Sequence, residues 1–92
     1  MNEPDVPQAD AVEAAILEFI HAELVPQQIT VTAEEDLLSG ELLDSLAVLR
    51  LATFVDDTFS IGMQPKDFVI ENFRSASVLT RFVLGALAGD SA

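Results

Sequence analysis

Apolar residues recur along this chain at helical spacing in three stretches. In the first, Val12, Ala15, Ile16, Phe19 and Ile20 fall on one face, with Glu13, Glu18 and Glu23 mostly away from it. Asp10 followed by Glu13 resembles a capping box, and Pro26 disfavours helix just before itself, so the pattern predicts a helix over 10–24. In the second, Val48, Leu51, Val55 and Phe59 form a core stripe over 45–59, with Asp44 as N-cap. Ser45, Leu49, Ala52 and Asp56 follow an adjacent face, which makes Leu49 an exposed apolar contact beside the serine. In the third, Val78, Leu79, Phe82, Val83 and Ala86 keep helical spacing after Ser75, a suitable cap.

The intervening segments are less regular. The first connection, 27–43, is long for a compact domain. Ile29 and Val31 alternate with polar residues and are compatible with a short strand. Leu37, Leu38, Leu42 and Leu43 are too apolar for a solvated loop, so they are expected to pack back on the helices, with a helical turn near 34–38. Gly40 supplies a flexible point before Ser45. Gly62 and Pro65 punctuate a turn, and 66–73, which contains Phe68, Ile70 and Phe73, is expected to hold one short helical turn. Residues 1–9, with Pro4 and Pro7, and 89–92 read as frayed ends. The expectation is one all-α domain over 1–92, with three main helices, a short one and a long first connection.

Composition narrows the function. Half of the 92 residues are apolar, as in a globular domain. Sixteen acidic residues against Arg50, Lys66, Arg74 and Arg81 give a formal charge of −12. A field of that sign repels nucleic acid and anionic membranes and favours a basic partner surface. With no cysteine there is no disulfide, thiolate metal site or cysteine nucleophile. No stretch approaches membrane-spanning length, and the first residues lack the basic start and apolar run of a signal peptide, so a cytoplasmic location is expected.

Little remains for catalysis. His21 is the only histidine and lies within the first helix, far along the chain from Ser45, so no serine–histidine–acid set is apparent. Asp56 and Asp57 are helix neighbours pointing in different directions. Glu34-Glu35-Asp36 lacks the alternating spacing of a calcium loop. No enzyme and no metal site are expected. Ser45 stands out, because a hydroxyl at a helix N-terminus lies where free amides and the helix dipole favour an anion such as a phosphodiester. Serine is also an ordinary first-turn residue, so position alone does not decide between capping and modification.

Leu43-Asp44-Ser45-Leu46, the helix to Phe59, Ile61 and Glu71-Asn72-Phe73-Arg74-Ser75 together resemble the acyl carrier protein family over about 37–83. The resemblance implies an acyl-carrier-like four-helix bundle and a carrier in place of a catalyst. Ser45 would receive 4′-phosphopantetheine from coenzyme A through a phosphopantetheinyl transferase, with Mg²⁺. The thiol of that arm would hold an acyl group as a thioester. Asp44 would cap the helix and help the transferase place its metal, and Leu46 would anchor the helix start in the core. Leu49, Arg50, Asp56 and Asp57 would form the docking surface of a monomeric carrier for a ligase, synthase or transferase with a basic face. Phe54, Phe68, Ile70 and Phe73 are interior candidates to shelter an acyl chain, with core packing as their ordinary role.

Two departures shape the expected pathway. The family's usual glycine two residues before the Asp is Leu42 here, and Ala47 and Arg50 stand where fatty-acid-synthesis carriers tend to be acidic. A cation on the docking helix repels enzymes that read acids, unless Arg50 pairs with a neighbouring carboxylate. Glu71-Asn72-Phe73-Arg74-Ser75 is similar to stand-alone carriers of specialised pathways, so the resemblance points to a stand-alone carrier of a specialised lipid or secondary-metabolite pathway. Its alternatives are an aminoacyl or D-alanyl carrier, and an acidic helical adaptor that is never modified.

Overall fold

The computed structural model describes residues 9–39 and 42–88. Of the expected frayed ends 1–9 and 89–92, residues 1–8 and 89–92 lie outside them, as does the flexible point at Gly40, while Ala9 is the first residue of a helix. Among the described residues the fold is all-helical and contains no strand. Helix α1 spans Ala9–Phe19 and runs on into a π-helical turn at Ile20–Leu24. Helix α2 spans Ser45–Phe59 and α3 spans Ala76–Leu87. Two short 3₁₀ turns, Pro65–Asp67 and Ile70–Phe73, stand where one helical turn was expected.

The apolar stripes account for the packing. Val12, Ile16 and Ile20 on the first helical segment are fully buried, as are Leu51, Ala52 and Val55 on α2 and Ala76, Leu79 and Val83 on α3. Helix α1 packs chiefly on α3, with α2 against both. Val48 and Phe59, at the two ends of the expected α2 stripe, are only partly buried. Ala52, expected on the adjacent face, is buried instead. Phe19 and Phe54 stack across the α1–α2 seam, with ring centroids 4.3 Å apart and planes 12° from parallel.

The helix ends follow the sequence closely, with one exception. The Asp44 carboxylate accepts from the Ala47 amide at 2.9 Å, and the Ser75 hydroxyl accepts from Val78 at 3.1 Å. Val25 is extended before Pro26, and its amide donates to the Ile20 carbonyl at 3.1 Å, the five-residue step of a π-turn. Asp10 is the exception. It lies inside α1 as a first-turn acid and does not open the helix.

Among its described residues the first connection contains neither strand nor helix. Val31 is buried and Ile29 half-buried, and no second strand lies beside them to complete a ladder. The expected helical turn near 34–38 is replaced by two side-chain-closed turns. Thr32 donates its amide to the Glu35 carboxylate at 3.3 Å, while Glu35 donates its own to the Thr32 carbonyl at 3.2 Å. The Asp36 carboxylate then accepts from the amides of Leu38 and Ser39 at 2.9 and 3.0 Å. Short polar side chains that bond nearby amides in this way compete with helix. The leucines do pack inward as expected: Leu37 and Leu43 are buried, and Leu38 and Leu42 lie against the core.

Two backbone bonds bind the connection to the start of α3. Leu37 donates to the Arg74 carbonyl and Ser77 to the Ala33 carbonyl, each at 2.8 Å. After α2, Ser60 takes a left-handed backbone conformation, and the Asp56 carboxylate gathers the amides of Gly62 and Met63 at 2.9 and 3.1 Å.

Burial on α2 predicts opposite outcomes for two neighbours. Leu51→Asp places an unpaired charge in the core and should cost about 3–5 kcal/mol. Leu49→Asp, at a position 53 % exposed, should change stability by no more than about 0.5 kcal/mol. Urea titrations followed by circular dichroism measure both; a larger loss for Leu49→Asp would show that the faces are reversed.

Asp36 predicts an acid response. The Ser39 and then the Leu38 backbone amides hold its carboxyl below the ordinary value of 3.8, with a smaller contribution from Arg74. A lowered folded-state value means that the stabilisation is fully present above the unfolded value and fades as pH falls through the folded one. Asp36→Asn keeps an acceptor oxygen without the charge. The melting temperature of the parent should exceed that of Asp36→Asn at pH 6, and the gap should close as pH is taken below 3.8. A gap that stays constant would refute this account.

Candidate functional site

Ser45 is the first residue of α2 and is exposed. A helix of that length leaves its first amides without intrahelical acceptors. Asp44 occupies one of them, the Ala47 amide, with its carboxylate, and its carbonyl takes the Val48 amide at 2.9 Å. Seven positions separate Ser45 from Ala52, nearly two whole turns, so the serine stands above the buried face of the helix. It therefore lies at the edge of the core without being covered by it.

Beside it lies a half-open groove of about 440 Å³. Leu38 and Leu43 from the first connection line it, together with Phe68, Val69, Ile70 and Phe73. Asp44, Ser45 and Val48 complete the lining. The hydroxyl is thus next to an apolar hollow. The rim is unusual: Phe68, Val69 and Ile70 are 46 %, 41 % and 62 % exposed. Phe68 and Ile70, expected in the interior, are therefore groove-edge residues, and only Phe73 of that segment is fully in the core. Phe68 and Val69 lie between the two 3₁₀ turns and Ile70 opens the second, so no helical period runs through the three apolar neighbours to rotate them all inward.

Leu46 also requires correction. It is 65 % exposed and does not anchor the helix in the core. It sits about 140° around the helix from Leu51 and about 180° from Val55, so burying it would turn those residues out.

The residues expected to form a docking face divide. Leu49, Arg50 and Asp57 come together around a second, shallower hollow of about 460 Å³ over the Phe19–Phe54 stack. Asp56 does not join them. Its carboxylate is turned to the loop after α2 and holds the amides of Gly62 and Met63. Arg50 is paired: its guanidinium donates to the Glu23 carboxylate at 3.0 Å and to the Glu23 carbonyl at 3.2 Å. The wide π-turn leaves that carbonyl available at the end of the first helical segment. Asp57 remains exposed.

Sequence reasoning missed the groove rim. A run of three consecutive large apolar residues, Phe68-Val69-Ile70, followed by polar Glu71 and Asn72 was its available signal.

Among the described residues no group of three or more His, Asp or Glu side chains is arranged to hold a metal ion. His21 does not line the groove; its Nε2 accepts from the Val31 amide at 2.9 Å. No helix among the described residues is long and apolar enough to cross a membrane. Neither the protein-family models nor the curated proteins contain a match to this chain.

Proposed function

We propose that the chain is an acyl carrier, folded as an acyl-carrier-like four-helix bundle, with 4′-phosphopantetheine attached through a phosphodiester to Ser45. The observation that carries this reading is the exposed Ser45 hydroxyl at the start of a 15-residue helix, on the lip of an apolar groove. The residues suit such a group. The hydroxyl is open to a transferase, Asp44 has an oxygen engaged with Ala47, and the adjacent hollow is apolar and open at one side. When bound, the arm supplies the thiol that a cysteine-free chain lacks and carries an acyl group as a thioester. The protein's own residues position the arm and display a face for partner enzymes; none of them acts as a catalyst. Tethering makes delivery effectively intramolecular once a partner is docked.

Leu46 and Leu49 are the exposed large apolar residues nearest Ser45 in the sequence. The first eleven residues of α2, 45–55, contain no acid. A face of this kind suits a dedicated ligase or synthase of a specialised pathway better than enzymes that read an acidic helix.

Incubation with coenzyme A, Mg²⁺ and a broad-specificity phosphopantetheinyl transferase should add one phosphopantetheine, seen by intact mass. Ser45→Ala should abolish the gain. The loaded protein should be turned over poorly by fatty-acid-synthesis enzymes compared with their own carrier. A chain that stays unmodified while an established carrier is converted in the same reaction is an adaptor and not a carrier.

A further inference from the structure

The chain's single histidine is bonded to the backbone of the first connection, not to another side chain. His21 stands in the π-helical turn, and its Nε2 accepts the Val31 amide at 2.9 Å across ten residues. A nitrogen that accepts carries no proton, so the ring in this bond is neutral with its proton on Nδ1. Val31 is only 3 % exposed and belongs to the core.

Few other hydrogen bonds hold this stretch. Among the described residues, Ile29 donates to Pro26, Thr32 to the Glu35 carboxylate and Glu35 to the Thr32 carbonyl, all local to this stretch. The next bond from the connection to another part of the fold is Ser77 to Ala33. Over 26–32 the His21–Val31 bond is therefore the described hydrogen bond that reaches a different element.

We propose that His21 is a pH-operated latch: the neutral ring holds the first half of the connection on the core, and the protonated ring releases it. The chemistry is one of donors and acceptors. An imidazolium has two N–H groups and no acceptor. Protonated Nε2 would meet the Val31 N–H donor to donor, so the two must separate.

The charged neighbours do not substitute for the lost bond. On the first helical segment, Glu18 is exposed one turn earlier and Glu23 is held by Arg50. Residues 26–32 contain no ionisable side chain, and of the acids that follow them Glu35 is bonded to Thr32 and Glu34 is exposed. Helix α2 contributes Arg50, already paired, with Asp56 turned to its own loop and Asp57 exposed; α3 contributes exposed Arg81. No salt bridge to His21 is present among the described residues. Histidine is the side chain whose charge ordinarily changes between about pH 5 and 8, above the range of the carboxylates. The latch is independent of whether Ser45 is modified.

Hydrogen exchange and ring chemical shifts measured by NMR on the full chain between pH 8 and 5.5 test the proposal. The protection factor of the Val31 amide, corrected for intrinsic exchange, should fall about tenfold as the His21 ring titrates, with the same midpoint. The Leu51 amide should keep its protection. His21→Gln offers an acceptor oxygen that does not titrate, so Val31 should stay protected in it at every pH. Val31 protection that ignores the ring titration overturns the latch, as does an equal acid response in the parent and His21→Gln. If His21→Gln does not fold, agreement or disagreement of the two midpoints in the parent decides.

Discussion

The pair of 2.8 Å backbone bonds between the first connection and the start of α3 is the constraint on which the candidate site rests. Leu37 to Arg74 and Ser77 to Ala33 join residues 37 and 44 positions apart in sequence. They fix the leucine-bearing connection against the segment that ends in Phe73. Both segments line the groove beside Ser45. Without them, the apolar residues of the connection would still favour burial, but nothing directional would set their distance from Phe68 and Ile70. Apolar burial supplies most of the free energy and hydrogen bonds supply the register. The same division appears at the Asp36–Arg74 contact. At 3.6 Å and half-exposed it contributes little energy, yet it lies at the same junction.

Charge is distributed unevenly. The chain carries −12, but the part of α2 next to Ser45 has no acid and one cation, and that cation is bound to Glu23. The acids that sequence placed on a docking face have different roles: Asp56 organises a loop, while Asp57 borders the shallower hollow. The net field can raise the rate of encounter with a basic partner. The immediate surroundings of Ser45 offer apolar contact through Leu46, Leu49, Val69 and Ile70. Under the proposed function, attraction at long range and contact at short range would fall to different residues.

The legible parts of this fold were those governed by local rules. Asp44 and Ser75 cap their helices because a short side-chain acceptor before an apolar run has one obvious donor, two or three residues on. Pro26 sets the end of the first helical segment through its restriction on Val25. The long-range parts were not legible. The period of α2 leaves several faces open, and only packing by α1 and α3 selects Ala52 over Leu46 for the core. The Phe68–Ile70 rim has no period to read. The π-turn adds one residue to a helical turn without a sequence mark, and so the Arg50–Glu23 carbonyl contact was out of reach, although pairing of Arg50 with an acid was a stated alternative.

The N-terminus of α2 poses an electrostatic problem under the proposed function, because Asp44 is already an anion there. Two unit negative charges about 5 Å apart repel by on the order of 1 kcal/mol in water, and by less with salt. The helix dipole and the free first-turn amides favour each anion by about 0.3–1 kcal/mol. The two effects nearly cancel. Asp44 also takes the Ala47 amide, so a phosphodiester must rely on other donors or on water. The helix end would therefore hold such an anion only weakly. That arrangement suits a swinging arm: the attachment point is fixed by the helix, while little holds the arm itself in one place.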